Sequence, residues 1–327
     1  MLFFPRSSGF RRGMSPGPVA VIDVGSNTIK LLVAKRAVGG GLLRLTMRTV
    51  EARIGTGISH DGPVLSAAGM ERGLDAILSL LADAHRFRCE RILLVATSAV
   101  RDARNGPEFA ARVLAATGQP LRILTGGEEA SAIGHGLTCD PFLRDQRDFQ
   151  VFDLGGGSLE CLTFRNRQVE QATSLPLGCV RLMEKFVGDP ALPFSTVAAH
   201  RVAAHTREVF AQAGFGFPLP AGTPAVGTGG SVTTVRAVRA AREGRSFEAT
   251  SSVVTTVELR ELLARLGPLP LNERQAIPGL PPGRADVFPT ALATLLAVAE
   301  LGGISEFRNS TYTLRHGLAD EALATAK

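Results

Sequence analysis

Two stretches of the chain share one hydrophobic–polar pattern. Each is an apolar run, an aspartate, one apolar residue, a turn of small residues and a second apolar run. The first reads VAVIDVGSNTIKLLVAK over residues 19–35, and the second FQVFDLGGGSLECLTF over residues 149–164. The runs over 19–24 and 151–154 are β-branched or aromatic, which suits buried strands. Gly25, Ser26 and Asn27, and Gly155, Gly156, Gly157 and Ser158, are turn residues that tolerate positive φ. Each stretch therefore predicts a β-hairpin. After the first, residues 41–54 predict a third strand. Ser66 predicts the cap of a helix to about Phe87, with Met70, Leu74, Ile77, Leu78 and Leu81 on one face. A strand over 91–96 leads to a strand-to-helix junction. Pro107 and Gly118 bracket a further helix, a strand follows over 121–124, and another helix starts at GGEEA. After the second hairpin, helices are expected around 178–187 and 195–213. A strand then enters a Gly-rich turn and helix over 224–241. The closing part reads as helical, with Pro-rich breaks near 268–282. Three strands followed by alternating helix and strand, twice over, predict a duplicated α/β fold with a cleft between its halves.

Composition narrows this. The 327 residues suffice for two domains and are 45% hydrophobic and 20% charged, as in a soluble folded protein. No apolar run reaches the roughly 18 to 20 residues of a membrane span. The four cysteines, Cys89, Cys139, Cys161 and Cys179, show no paired spacing, so neither a disulfide scaffold nor a zinc site is expected, and a reducing cytoplasm fits. His200 and His205 are poorly spaced to share a metal. The net charge of +6 either attracts a polyanion at long range or reflects an arginine-rich composition alone. A single Tyr and no Trp leave no basic–aromatic interleaving for stacking bases, so nucleic acid is not the expected partner. Residues 1–17 place their basic residues after the apolar ones, the reverse of a signal peptide. They are expected to be a disordered extension, with Met14 as an alternative start.

The repeated turns carry the candidate chemistry. Alone, GGGS is a plain turn and an Asp at a strand end is a turn former. Paired across a cleft, such turns make anion nests from backbone N–H groups and hydroxyls. Asp23 and Asp153, at the ends of the incoming strands, suit Mg²⁺, directly or through water. Glu160, just past the second turn, is placed to support metal or water. Gly229, Gly230 and Ser231 make a third turn at a helix N-terminus, which suits an anion or serves simply as a helix entry.

Six motifs in one order carry a resemblance. They are DVGSNTIKLLV from Asp23, ATSAVRDARN from Ala96, TGGEEA from Thr125, DLGGGSLE from Asp153, GTGGSVTTV from Gly227 and LRHGL from Leu314. Together they resemble the exopolyphosphatase / guanosine pentaphosphate phosphohydrolase (Ppx/GppA) family, within the actin-like and sugar-kinase (ribonuclease H-like) superfamily. The resemblance runs from about Val19 to the C-terminus and suggests the short, two-domain form. It implies one domain over 18–132 with a C-terminal helix over about 310–327, and a second over 133–309.

The implied reaction is hydrolysis of the terminal phosphoanhydride of inorganic polyphosphate, releasing phosphate. Hydrolysis of pppGpp, or polyphosphate or alarmone sensing without turnover, are the alternatives. The resemblance makes Glu129 the residue that orients or deprotonates water, with Glu128 as its fallback. Arg101 would hold the terminal phosphoryl group, while Asp102 and Asn105 serve the turn. Gly25, Ser26, Asn27, Thr28, Gly156, Gly157, Ser158, Gly229, Gly230 and Ser231 would bind phosphates. Asp23, Asp153 and Glu160 would hold Mg²⁺ or Mn²⁺. Thr28, Ser231 and His316 depart from the family's commoner Ser, Thr and Glu. A homodimer that lengthens the basic groove is a further expectation.

Overall fold

A computed structural model describes residues 17–217, 219–220 and 222–325. The extension expected over 1–17 lies outside them except for Gly17. The chain begins with an antiparallel meander, β1 (Val19–Val24), β2 (Thr28–Arg36) and β3 (Leu42–Glu51). Helix α1 (Ala67–Arg86) leads to β4 (Arg91–Ala96), which pairs parallel with β1. Short α2 (Ser98–Asp102), then α3 (Gly106–Thr117), lead to β5 (Leu121–Ile123) at the edge. The first sheet runs β3-β2-β1-β4-β5. Helix α4 (Gly126–Thr138) carries the chain to a second meander, β6 (Phe149–Leu154), β7 (Leu159–Arg165) and β8 (Gln168–Leu175). Then come α5 (Cys179–Phe186), α6 (Thr196–Ala213), β9 (Ala225–Thr228), α7 (Gly229–Glu243), β10 (Val253–Thr255), α8 (Thr256–Leu266), α9 (Leu271–Gln275), α10 (Phe288–Gly302), β11 (Glu306–Asn309) and α11 (Leu314–Ala324). The second sheet runs β10-β11-β9-β6-β7-β8, with β9 parallel to β6.

The expected caps form. The Ser66 hydroxyl accepts from Gly69 N at 3.0 Å, and Gly118 ends α3 with φ of 69°. Two expectations fail for local reasons. The closing part is not purely helical: β10 and β11 add an antiparallel pair to the second sheet, with Phe307 of β11 packed into the core. These strands have three and four residues, too short for a period to show. Leu78 faces solvent, because the buried stripe of α1 runs through Met70, Gly73, Ile77, Leu80 and Leu81.

Positions 132 and 133 fall in the middle of α4, whose principal packing partner is α11. Glycines allow that crossing. A Cβ on Gly317 would lie well inside van der Waals distance of Ala132 O, and one on Gly136 would meet Thr313 O. Backbone cannot move aside as a flexible side chain can. Gly317→Ala is therefore expected to cost about 2 kcal/mol or more, read as a lower urea midpoint at unchanged m-value. An unchanged midpoint would show that the helices separate freely here.

Candidate active site

The two hairpin turns are built alike. Gly25 N donates to Thr28 O at 3.2 Å, and Gly155 N donates to Ser158 O at 3.0 Å. In the strand registers Asp23 pairs across from Lys30, and Asp153 across from Glu160. The turns meet face to face. Ser26 and Ser98 hydroxyls lie 3.1 Å apart, and a Cβ on Gly157 would collide with both. Gly178 packs as tightly against the carbonyl of Gly156, so α5 sits directly on the second turn. The third turn closes the site: Gly229 has φ of 81°, and a Cβ there would strike Asp153 Oδ1.

Between these turns lies a cavity of about 70 Å³, room for a small polar group rather than a nucleoside. Asp23, Gly25, Ser26, Asn27, Thr28, Glu129, Asp153, Gly156, Ser158, Glu160, Gly229 and Gly230 all line it. Gly157, Ser231 and Arg101 do not. Gly157 faces the opposite loop. The Ser231 hydroxyl donates to Leu154 O at 3.2 Å. Arg101 Nη1 reaches Glu129 Oε2 at 2.7 Å and Leu124 O at 3.3 Å, so it braces Glu129 from behind. The adjacent glutamates separate as helix geometry requires. Glu129 is 7% exposed and faces the cavity. Glu128 closes a capping box with Thr125 and pairs with Arg122 at 2.5 Å. The Thr125 backbone N–H, with that arginine, holds its carboxyl down at about 2.

Three cations not expected from the sequence also line the cavity: Lys30, Arg284 and Arg315. Arg315 Nε lies 3.9 Å from Asp23 Oδ2. Several donors around this space are buried and have no acceptor among the described residues: Asn27 Nδ2, Arg284 Nε, and Arg315 Nε and Nη1. Orphaned buried donors are costly unless a ligand satisfies them. A lysine inside the apolar run IKLLVA was the available signal for Lys30. Arg315 lies in the LRHGL motif, directly before His316. His316 Nδ1 accepts from Thr313 N at 3.1 Å, the bond a glutamate at this position would make in a capping box. Burial lowers its pKa to about 3, keeping the ring neutral and able to accept.

The carboxyl groups are held reluctantly ionised. Burial, then the Asp153 charge, pushes Glu160 up to about 7, against a hydrogen bond from Ser174 Oγ at 2.8 Å. Burial raises Asp153 to about 6, with Lys30 opposing and Asp23 reinforcing. Burial and the Glu160 charge push Glu129 well above the usual carboxylate range, against its Arg101 bond. Lys30 is shifted down by burial and by Arg315. Among the described residues, the three metal-type donors gathered within 4.8 Å of one another are His135 on α4, Cys139 at its C-cap and Asp320 on α11. Asp23, Asp153 and Glu160 therefore line one cavity without forming a closed cage. All-oxygen donors in an open set fit Mg²⁺, which keeps water and binds through one or two carboxylates plus phosphate.

Both sheets mix parallel and antiparallel strands, an α/β arrangement that resembles the actin, Hsp70 and sugar-kinase fold. A crystal structure of the Aquifex aeolicus Ppx/GppA family member matches with a TM-score of 0.75 at 25% identity, over 95% of this chain and 99% of that one. An exopolyphosphatase from Cytophaga hutchinsonii matches in fold with a TM-score of 0.84 at 22% identity, over 95% and 99% of the two chains. The family model for Ppx/GppA phosphatases matches residues 32–326, and the chain belongs to the Ppx/GppA phosphatase family.

No helix among the described residues is long and apolar enough to cross a membrane. All four cysteines are free.

Proposed function

We propose that the protein is a divalent-metal-dependent exopolyphosphatase that removes the terminal phosphoryl group of inorganic polyphosphate by water attack. The observation that carries this reading is the set of unpartnered buried donors, on Asn27, Arg284 and Arg315, around a cavity that already holds Lys30. Such a set calls for a ligand rich in acceptor oxygens and negative charge, as phosphate is. Phosphoryl transfer asks mainly for positioning and charge stabilisation. In this scheme the turns over 25–28 and 155–158 hold non-reacting phosphate oxygens through their N–H and hydroxyl groups. Lys30, Arg284 and Arg315 take the charge of the chain end.

Glu129 takes the proton of the attacking water. Its raised proton affinity suits a base working near neutral pH, and Arg101 fixes its carboxylate. Asp23 and Asp153, supported by Glu160, would hold Mg²⁺ or Mn²⁺, which when bound neutralises phosphate charge. We read the two like-ordered meanders as halves of a duplicated fold. Residues 18–132 with 310–327 would form one domain and 133–309 the other.

The same cavity would accept the terminal phosphate of pppGpp. Rates of phosphate release from long-chain polyphosphate and from pppGpp, measured side by side, separate the two. Higher kcat/KM on polyphosphate is the expected result. Release from pppGpp alone would make the protein an alarmone phosphatase.

A further inference from the structure

A chain of ion pairs reaches the candidate site from the opposite side of the cleft. Arg181 and Glu184 stand one turn apart on α5, which follows the second meander. The Arg181 guanidinium donates in three directions. Nε reaches Gly157 O of the second turn at 2.9 Å, Nη1 reaches Ile58 O at 2.8 Å, and Nη2 reaches Asp102 Oδ2 at 2.5 Å. Ile58 and Asp102 both belong to the part of the chain that carries the first sheet. Asp102, on α2, then presents Oδ1 to Arg101 Nε at 3.4 Å. Arg101 in turn holds Glu129 at 2.7 Å. The series Arg181–Asp102–Arg101–Glu129 thus links the second phosphate turn to the base across the cleft. One turn along α5, the Glu184 carboxylate accepts from Gly57 N at 2.7 Å and Ser59 N at 3.1 Å, which fastens the same loop independently.

The neighbouring polar residue in the junction does something else. Asn105 exchanges two hydrogen bonds with the Leu65 backbone, at 2.8 and 2.9 Å. Asp102 therefore does not serve its own turn, as the sequence suggested, and Asn105 ties its turn to the approach to α1.

We infer that Arg181 and Asp102 are positioning residues. Together they set the guanidinium plane of Arg101, and through it the Glu129 carboxylate, relative to the second phosphate turn. This assignment rests on the proposed phosphatase reading for its kinetic consequence, but not for its structural one. Arg101 has one oriented carboxylate on each side, Asp102 on Nε and Glu129 on Nη1. Without Asp102 the guanidinium keeps only its Nη1 contacts, to Glu129 and to Leu124 O, and its Nε side is no longer held. Without Arg181, Asp102 loses the partner that fixes it. A lysine at 181 would keep the charge but could not donate along three fixed directions.

The test uses the full chain with Arg181→Gln, Arg181→Lys, Asp102→Asn and the double variant Arg181→Gln/Asp102→Asn. The first readout is the side-chain Nε–H NMR signal of Arg101, assigned by its loss in Arg101→Lys. It should shift in all three single variants. The second is the kinetic split on polyphosphate. Each single variant should lower kcat about tenfold or more with KM nearly unchanged, as misplacement of a reacting group does. The double variant should be no slower than the slower single one. Glu184→Gln, which lacks contact with Asp102, should leave the Arg101 signal in place. An Arg101 signal and kcat unmoved in Arg181→Gln, even with a lowered unfolding midpoint, would reduce Arg181 to a structural brace and overturn the inference. If the wild-type protein releases no phosphate, the functional reading fails, and the Arg101 signal alone still decides the positioning role.

Discussion

Glu129→Gln should lower phosphate release by about 10²-fold or more while leaving polyphosphate affinity within a few-fold, the signature of a lost general base. The amide is isosteric and keeps an oxygen for Arg101 Nη1, so the wall of the cavity should survive. It cannot take a proton from water. The donors assigned to substrate lie on other residues, namely Asn27, Lys30, Arg284 and Arg315. Binding and turnover should therefore come apart. Glu128→Gln provides the contrast. Glu128 is spent on the α4 cap and on Arg122, so its loss should touch helix stability and leave kcat in place. Parallel losses of binding and turnover in Glu129→Gln would move Glu129 from base to substrate ligand.

Chelating divalent metal should abolish turnover, and the stabilisation given by Mg²⁺ should grow with pH. Folding raises the Asp153 carboxyl from 3.8 to about 6 and that of Glu160 from 4.5 to about 7. Between about pH 4 and pH 7 the native state thus holds more protons than the unfolded chain. By linkage, metal-free stability falls as pH rises through that window. Below it both states are protonated and nothing is lost. Above it both carboxylates are ionised, and their repulsion is fully present. A divalent cation needs those ionised forms, so added Mg²⁺ should raise the unfolding midpoint more at pH 8 than at pH 5. Glu160→Gln should flatten the metal-free pH dependence and raise the unfolding free energy at pH 8 by on the order of 2 kcal/mol. A metal-free midpoint constant from pH 5 to pH 8 would contradict the charge arrangement. Undiminished turnover in excess chelator would remove Asp23 and Asp153 from the metal role.

What could be read from the sequence follows from the range of the interactions involved. Both hairpins were legible because strand, turn and strand are local, and glycine marks the turn chemistry. The register placing Glu160 opposite Asp153 follows from the same turn. The choice of Glu129 over Glu128 was legible from the resemblance, and helix geometry allows only one of two neighbours to face the cavity. The cation set was not legible. Lys30, Arg284 and Arg315 come from β2, from a Pro-rich connection and from α11, and only tertiary packing brings them together. Arg101 is expected on the substrate from its motif, and the structure shows its guanidinium bonded to Glu129 and outside the cavity lining. A strand-end motif places a residue near a site without fixing which way its side chain turns. The Arg181–Asp102 contact, 79 positions apart in sequence, left no local trace either.

The most direct measurement is phosphate release from long-chain polyphosphate by the purified protein with Mg²⁺, beside its Glu129→Gln variant at equal concentration. Steady release by the wild-type chain and near-complete loss in the variant, with both binding the polymer, is the expected result. Equal release by the two proteins, or binding without release by either, would contradict it.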